Sequence, residues 1–192
     1  MNRSGSIIDI TRELLSAPVY PGDPVPELKR VSDTFSGDPF TLGVIRTGLH
    51  VGTHCDAPLH IIQGGKDISG MDPEHFIGPC IVLTLPEGQI TEADFFRRFL
   101  PEGVKRLLLR SRGTSFLSET AGRFLLDHGV ITAGTDGFSL APPGKEETIH
   151  TLLLGGGMAL IESLDLDHAP DGTYFLSALP LRIQGAEAAP CR

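Results

Sequence analysis

Short apolar runs separated by glycine-rich and proline-rich turns dominate the hydrophobic pattern of this chain. The runs at 81–85, 105–110 and 130–135 are too short for helices and are bounded by turn residues, which predicts buried strands. Elsewhere apolar side chains recur three or four residues apart, and this period predicts two amphipathic helices. One helix is expected to begin at Thr91 as its N-cap, and the other to cover 118–128.

Further segments complete the predicted order of elements. Residues 7–10 and 40–49 read as strands, whereas residues 17–26 are too rich in proline for regular structure and predict a loop. Residues 158–164, MALIESL, alternate enough to be a strand and place Glu162 within an apolar element. Strands and helices do not alternate strictly, which predicts an α/β or α+β fold with a mixed sheet.

Composition and charge narrow the class of protein. The 192 residues, 40% of them hydrophobic, predict a single domain over 1–192. A net charge of −8 argues against a nucleic-acid backbone or an anionic membrane as partner. Cys55, Cys80 and Cys191 are odd in number and widely spaced, so no disulfide framework is expected. Without a signal-peptide core or a membrane-spanning run, a cytoplasmic location is expected.

Candidate chemistry is concentrated in residues 47–60, which read TGLHVGTHCDAPLH. This stretch holds three of the seven histidines, His50, His54 and His60, together with Asp56. Imidazole and carboxylate groups are the ligands that zinc, manganese and iron take in proteins. A single histidine is more often an ordinary polar residue, but four such groups in eleven residues favour a metal site.

The spacing of these residues requires a bent backbone. A straight strand would place His50 and His54 roughly 13 Å apart, too far for two ligands of one metal. Gly52 lies between them and permits a bend or bulge. His54 and Asp56 then point to the same side of the chain, and Cys55 points to the other. Cys55 is therefore expected to be a small packed residue and not a ligand.

His150 and Glu162 form a second candidate cluster. His150 precedes the apolar run LLL, and Glu162 lies in the predicted strand at 158–164. A buried acid needs a partner, so a ligand role is one reading. A glutamate at a strand edge in water is the other, and the residues alone leave both open.

The string HVGTHCDAPLH resembles the HxGTHxDxPxH signature of the cyclase-like metal hydrolases, the family of bacterial kynurenine formamidases and isatin hydrolases. The segments VYPGDP and GTDGFS and the ending GTYFLSALPLRIQGAEAAPCR also resemble that family, so the resemblance covers nearly the whole chain. It implies a swivelling β/β/α architecture, which fits the predicted order of elements. It also implies a homo-oligomer.

The resemblance assigns the candidate ligands to two divalent metal ions, with zinc expected and manganese as the alternative. His50 and His54 correspond to ligands of the first ion. His150 and Glu162 correspond to ligands of the second, and Asp56 corresponds to a bridge between them.

The same resemblance implies a hydrolase that cleaves an amide bond, most like an arylformamidase acting on N-formylkynurenine-type substrates. Metal ions lower the pKa of bound water and polarise the scissile carbonyl. His60, the remaining histidine of the motif, is placed to act as general acid and base. Tyr20 stands at the position of an aromatic substrate contact, where formamidases of the family commonly carry tryptophan.

Two other functions stay open. One is a ring-opening hydrolase of a cyclic imide, lactam or lactone, as in isatin hydrolase. The other is a non-catalytic module that binds metal for structural reasons, which a closed four-ligand site would favour.

Overall fold

The computed structural model describes residues 5–192, and a mixed sheet with helices packed on it forms its centre. In chain order the strands are β1 (Glu27–Ser32), β2 (Leu42–Arg46), β3 (His54–Asp56), β4 (Ile77–Thr84), β5 (Ile90–Thr91), β6 (Arg106–Arg110), β7 (Phe116–Leu117), β8 (Thr132–Thr135), β9 (Ala159–Glu162), β10 (Gly172–Ser177) and β11 (Ala188–Pro190). The helices are α1 (Ala93–Phe99), α2 (Glu119–Asp127) and α3 (Glu146–Gly155), with 3-10 turns at Thr34–Ser36, Pro58–His60, Ile68–Gly70 and Pro73–His75.

The central sheet has seven strands in the order β10-β4-β6-β8-β9-β3-β11. The four strands from β4 to β9 run parallel to one another, while β10, β3 and β11 pair antiparallel with their neighbours. Parallel strands need covered faces and a crossover connection between them, and the helices supply part of that cover. The predicted α/β class with a mixed sheet is confirmed.

Several predicted elements are present with shifted ends. The strands expected at 81–85, 105–110 and 130–135 are β4, β6 and β8. The helix expected at 118–128 is α2, and the Ser118 hydroxyl caps it by accepting from the N–H of Ala121.

Two predictions are wrong. Residues 7–10 form no strand, because the segment makes only one isolated bridge, Thr11 to Leu164, beside a single bond from the N–H of Asp165 to the carbonyl of Ile10. Thr91 is not the N-cap of α1, since it pairs with Leu117 in a short parallel sheet. Glu92 takes the N-cap position instead, without a side-chain capping bond.

Alternation along the strands divides the core into two layers. In β6, Leu108 packs into one layer while Leu107 and Leu109 pack into the other, beneath the helices. In β9, Ile161 belongs to the first layer and Leu160 to the helix side. Each buried leucine contributes roughly 1.5–3 kcal/mol of transfer free energy, so this alternation fixes the register of the sheet.

The hairpin of β1 and β2 stands apart from the central sheet. Its strands pair only with each other, and nearly all of its residues are exposed. Within residues 5–192 the longest helix, α3, has 10 residues, and no helix has the length and apolarity needed to cross a bilayer.

Candidate active site

The predicted bend between His50 and His54 is present. Gly52 has a φ of +64°, and β3 begins two residues later. Within β3, Cys55 points into the first core layer, where its thiol donates to the carbonyl of Ala178. Because strand side chains alternate, His54 and Asp56 point to the opposite, helix-bearing side. The prediction that Cys55 packs away from the candidate ligands is confirmed.

Two histidines present their Nε2 atoms to a common centre. Nδ1 of His54 donates to the carbonyl of Gly52 at 2.8 Å, and Nδ1 of His150 donates to the carbonyl of Glu146 at 2.8 Å. A carbonyl oxygen only accepts, so both rings carry a proton on Nδ1. In the neutral ring the lone pair is then on Nε2, which is the form that binds a metal ion.

The carboxylate of Asp56 lies at that centre. Its Oδ1 is 3.1 Å from Nδ1 of His50 and 3.4 Å from Nε2 of His54, and its Oδ2 is 4.0 Å from Nε2 of His150. Asp56 is fully buried. A buried carboxylate surrounded by three imidazoles needs positive charge close by to be stable.

Glu162 adds a second buried carboxylate on the same side. It lies directly opposite His54 in the β9–β3 pairing. Its oxygens are 3.7 Å from Nε2 of His54 and 3.3 Å from Nε2 of His150. Glu162 is only 5% exposed, so the alternative of a strand-edge glutamate in water is wrong.

The unpaired atoms of this cluster fit a divalent metal. Within residues 5–192, Nε2 of His54 and both oxygens of Asp56 are buried without a hydrogen-bond partner. Ligand atoms lie within 4.8 Å of one another in two groups, His54–Asp56–Glu162 and His50–Asp56–His60. Native proteins rarely leave such atoms unpaired. The all-nitrogen-and-oxygen set suits a borderline or hard divalent cation.

Opposite environments act on the titrating groups around Asp56. Burial lowers the pKa of His150, but the hydrogen bond and charge of Glu162 outweigh it and raise that pKa to about 9. Burial also lowers the pKa of His60, and the neighbouring rings of His50 and His150 lower it further, so it falls below its usual value. Burial, together with the charge of Asp56, raises the pKa of Glu162.

A cavity of about 320 Å³ opens from the candidate ligands to solvent, with Tyr20 and Phe138 on its wall. The two rings meet edge to face with centroids 5.9 Å apart. His60 also lines this cavity, and its ring lies 4.3 Å from the ring of His50. The structure thus brings every residue that the sequence analysis selected to one cavity or to its floor.

Sequence reasoning missed two residues here. Phe138 lies in the family-like segment GTDGFS, but its apolar side chain gave no separate signal. Glu187, in the ending GAEAAPCR, has its Oε1 3.6 Å from Nε2 of His50. Its position just before β11 could have drawn attention only if the pairing of β11 with β3 had been foreseen.

A family model described as "Putative cyclase" matches residues 8–142. This chain belongs to the cyclase family. The cyclase-family chain is 35% identical over 201 residues to a kynurenine formamidase from Sphingopyxis alaskensis, covering 97% of this chain and 95% of that protein. It is 34% identical over 199 residues to a kynurenine formamidase from Bacillus cytotoxicus, covering 96% and 94%.

Solved structures agree with the fold of this cyclase-family chain. A predicted metal-dependent hydrolase from Bacillus stearothermophilus superposes with a TM-score of 0.81 at 27% identity, covering 96% of this chain and 95% of that one. Isatin hydrolase A from Ralstonia solanacearum also reaches 0.81, at 24% identity and with 96% and 89% covered. The comparisons confirm the predicted family and the predicted class of enzyme, a hydrolase of amide bonds that depends on a divalent metal.

Proposed function

We propose that this chain hydrolyses aryl formamides of the N-formylkynurenine type. The observation that carries the proposal is Asp56, shared between two groups of metal-ligand atoms at the floor of a cavity with an aromatic wall. The kynurenine formamidases it resembles along nearly their whole length support the formamide as the bond that is cleaved.

The metal set proposed is two divalent ions, zinc in the first place and manganese as the alternative. As the family resemblance implies, His50 and His54 would hold the first ion and His150 and Glu162 the second, with Asp56 bridging them. By distance alone, His54 groups with Glu162 and His50 with His60, each time around Asp56. When bound, such ions make hydroxide available near neutral pH and polarise the scissile carbonyl. The unpaired oxygens of Asp56 support a bridging role, because both face the cluster.

His60 is the proposed general acid and base. Its lowered pKa leaves the imidazole neutral near pH 7, so one ring nitrogen can take a proton from the attacking water. The protonated ring then gives that proton to the leaving amine nitrogen. Its place on the cavity wall, beside the ring of His50, keeps it within reach of a substrate held over the ligands.

Tyr20 is the proposed substrate contact, with Phe138 beside it. Tyr20 lies in the predicted proline-rich loop and is 45% exposed, so its ring is available to a ligand. An edge-to-face neighbour restrains the ring and reduces the entropy lost on binding. A planar aryl group entering the cavity can pack against this pair.

The test is hydrolysis of N-formylkynurenine and of isatin by purified protein, with metal content measured on the same sample. We expect turnover of the formamide, loss of turnover with a chelator, and recovery with zinc or manganese. Turnover of isatin alone would replace the formamidase proposal with ring opening. Metal without turnover of any amide or cyclic amide would favour a structural site.

We further propose that the chain forms a homo-oligomer through the hairpin of β1 and β2. An isolated hairpin is marginally stable in water, and this one exposes large apolar side chains. They are Leu28, Val31, Phe35, Leu42, Val44 and Ile45. Glu27 lies opposite Arg46 within the hairpin. In a two-fold contact between two copies, Glu27 of each copy can therefore face Arg46 of the other.

Light scattering coupled to size exclusion tests this association. The wild type is expected to be at least a dimer, and Val44→Asp to shift it towards monomer. Phe175→Asp is the matched control, because Phe175 is also exposed but belongs to β10. A monomeric wild type at micromolar concentration would contradict the proposal.

A single domain over 1–192 and a cytoplasmic location complete the proposal. The sheet places β3 between β9 and β11, so early and late segments share one sheet. Cys55, Cys80 and Cys191 are all buried free thiols, as is usual in a reducing compartment.

A further inference from the structure

The histidines around Asp56 are not held in the same way. His54 and His150 each donate Nδ1–H to a backbone carbonyl and turn Nε2 inward. His50 is reversed, since its Nδ1 faces Asp56 at 3.1 Å and its Nε2 points away from the cluster. Among residues 5–192 no backbone carbonyl accepts from His50, so its outer nitrogen is left to a side chain or to solvent.

The carboxylate of Glu187 faces this nitrogen, with its Oε1 3.6 Å from Nε2 of His50, which is within ion-pair distance but longer than a direct hydrogen bond. The backbone around Glu187 is fixed to residues 47–60, the segment with the candidate ligands, which is called the metal loop below. Its carbonyl accepts from the N–H of Ala57 at 2.9 Å, and the next residue, Ala188, pairs with Asp56 in the β11–β3 ladder. The carboxylate is therefore carried by a segment that is registered against the strand holding the proposed ligands.

The position of Glu187 indicates an action through His50 and not on substrate. Its side chain is 39% exposed, whereas the carboxylate of Asp56 is fully buried. Glu187 is not among the described residues that line the 320 Å³ cavity. A carboxylate behind a ligating imidazole fixes the tautomer and orientation of the ring and makes the ligand nitrogen more basic.

We propose that Glu187 is a positioning residue that holds His50 with Nε2 protonated and Nδ1 directed at the metal. The inference rests on the proposed ligand set, in which His50 binds the first ion. By this inference, the segment just before β11 contributes directly to metal affinity. The sequence of the metal loop alone would not predict that contribution.

Metal affinity, measured by competition with a chromophoric chelator, is the first test. We expect Glu187→Ala to weaken the tighter-bound zinc by about 10–100-fold, the usual effect of losing such a partner. Glu187→Asp should recover part of the loss, and Glu187→Gln should lie between the two. Glu102→Ala is the control for the loss of one negative charge at an exposed position. An affinity within twofold of wild type for Glu187→Ala would overturn the proposal.

The ring of His50 gives the second readout. In zinc-loaded protein, long-range ¹H–¹⁵N spectra should show Nε2 of His50 protonated, and its proton should exchange with solvent faster in Glu187→Gln than in wild type. Exchange that is unchanged in Glu187→Gln would overturn the proposal even if Glu187→Ala fails to fold.

Failure of this inference can be told from failure of the proposed function. If His50→Ala keeps full metal, the ligand set itself is wrong. If His50→Ala loses metal while the Glu187 variants keep wild-type affinity, only the positioning role is wrong.

Discussion

Two histidines a few ångströms apart carry opposite pKa shifts, because their neighbours differ. His150 faces the carboxylate of Glu162, which stabilises its charged form and raises its pKa to about 9. Desolvation at the cavity wall, with the charges of His50 and His150, disfavours the charged form of His60 and lowers its pKa. The environment of His60 suits a residue that must give and take protons near pH 7. The environment of His150, next to carboxylates, suits a ligand of a metal ion.

Replacing His60 with alanine separates these roles. We expect the protein to keep its fold and metal while kcat falls by roughly 10²–10⁴, the usual worth of general acid–base catalysis. His128→Ala is the control, since His128 lies outside the cavity, where it donates to the carbonyl of Pro101 at 3.0 Å and stacks on the ring of Phe124. Loss of metal in His60→Ala would make His60 a ligand, which its place in one of the two ligand groups allows.

If Asp56 bridges two ions, replacing Asp56 should remove more metal than replacing Glu162. Asp56→Ala should remove both metal equivalents, because it is proposed to serve both ions. Glu162→Ala should lose one and retain the ion held by His50 and His54. Elemental analysis of protein purified without chelator measures the ratio, and full metal in Asp56→Ala would exclude the bridge.

Tyr20 predicts a graded effect on substrate preference. Tyr20→Ala should lower kcat/KM for an aryl formamide but not for an alkyl formamide, since aromatic contact is worth about 0.5–1.5 kcal/mol beyond burial. Tyr20→Trp should raise the aryl value or leave it unchanged. Metal content should stay constant, and an unchanged aryl-to-alkyl ratio in Tyr20→Ala would make the loop a connector only.

At the scale of elements, the site depends on where β3 lies. Its neighbours β9 and β11 bring Glu162 and Glu187 to the metal loop, and α3 brings His150 from the helix layer. The bend before β3 aims His50 at the same point. Strands place side chains with little freedom, so a small error in this bend displaces ligands by ångströms.

Gly52→Ala tests the bend. At a φ of +64° a Cβ costs about 1–2 kcal/mol, although the space around Gly52 would accept it. We expect a modest loss of stability together with weaker metal binding. Gly88→Ala, with a φ of +67° and open surroundings, should show a similar loss of stability with normal metal affinity. Equal metal binding in the two variants would mean that the bend tolerates strain.

The same elements show what the sequence can and cannot predict. The metal loop was predictable because its ligands are close in sequence and Gly52 marks the bend. Helix α3 was not, since its N-cap, Lys145, makes no capping bond. Strand β2 lies within the strand predicted at 40–49, but its partner β1 was missed, because a strand exposed on both faces lacks the alternation that a half-buried strand shows. The contact between Glu187 and His50 depends on strand order, which local patterns do not encode.

At the scale of the whole molecule, metal and pH act on stability together. In metal-free protein the raised pKa of His150 stabilises the fold fully below its unfolded value near 6.5, and this contribution is lost as pH rises through about 9. The raised pKa of Glu162 also makes the folded protein lose stability as pH rises, but over a lower pH range than His150. Metal binding needs these groups to be deprotonated, so metal affinity increases as pH rises. Over the same pH range the stability of the metal-free protein decreases.

Thermal unfolding with and without chelator measures whether bound metal reverses the dependence of stability on pH. Between pH 6.5 and 9.5 the chelated protein should lose up to about 3 kcal/mol from His150, estimated from its shift at 1.36 kcal/mol per pKa unit. With zinc present the Tm should be flat or rise over the same range. His150→Gln should remove most of the slope in chelator. A slope that is identical in both proteins would show that the pair of His150 and Glu162 does not set it.

The order of strands has a consequence for synthesis. Residues 54–56 leave the ribosome long before their sheet neighbours at 159–162 and 188–190 exist. At about 5–20 residues per second, His54 and Asp56 wait roughly 5–20 seconds before β9 is available to pair with them. An ion met during that interval finds only the local ligands of the metal loop. Loading of the complete proposed site therefore follows the emergence of residues 159–190, when Glu162 and the segment that precedes β11 are also present.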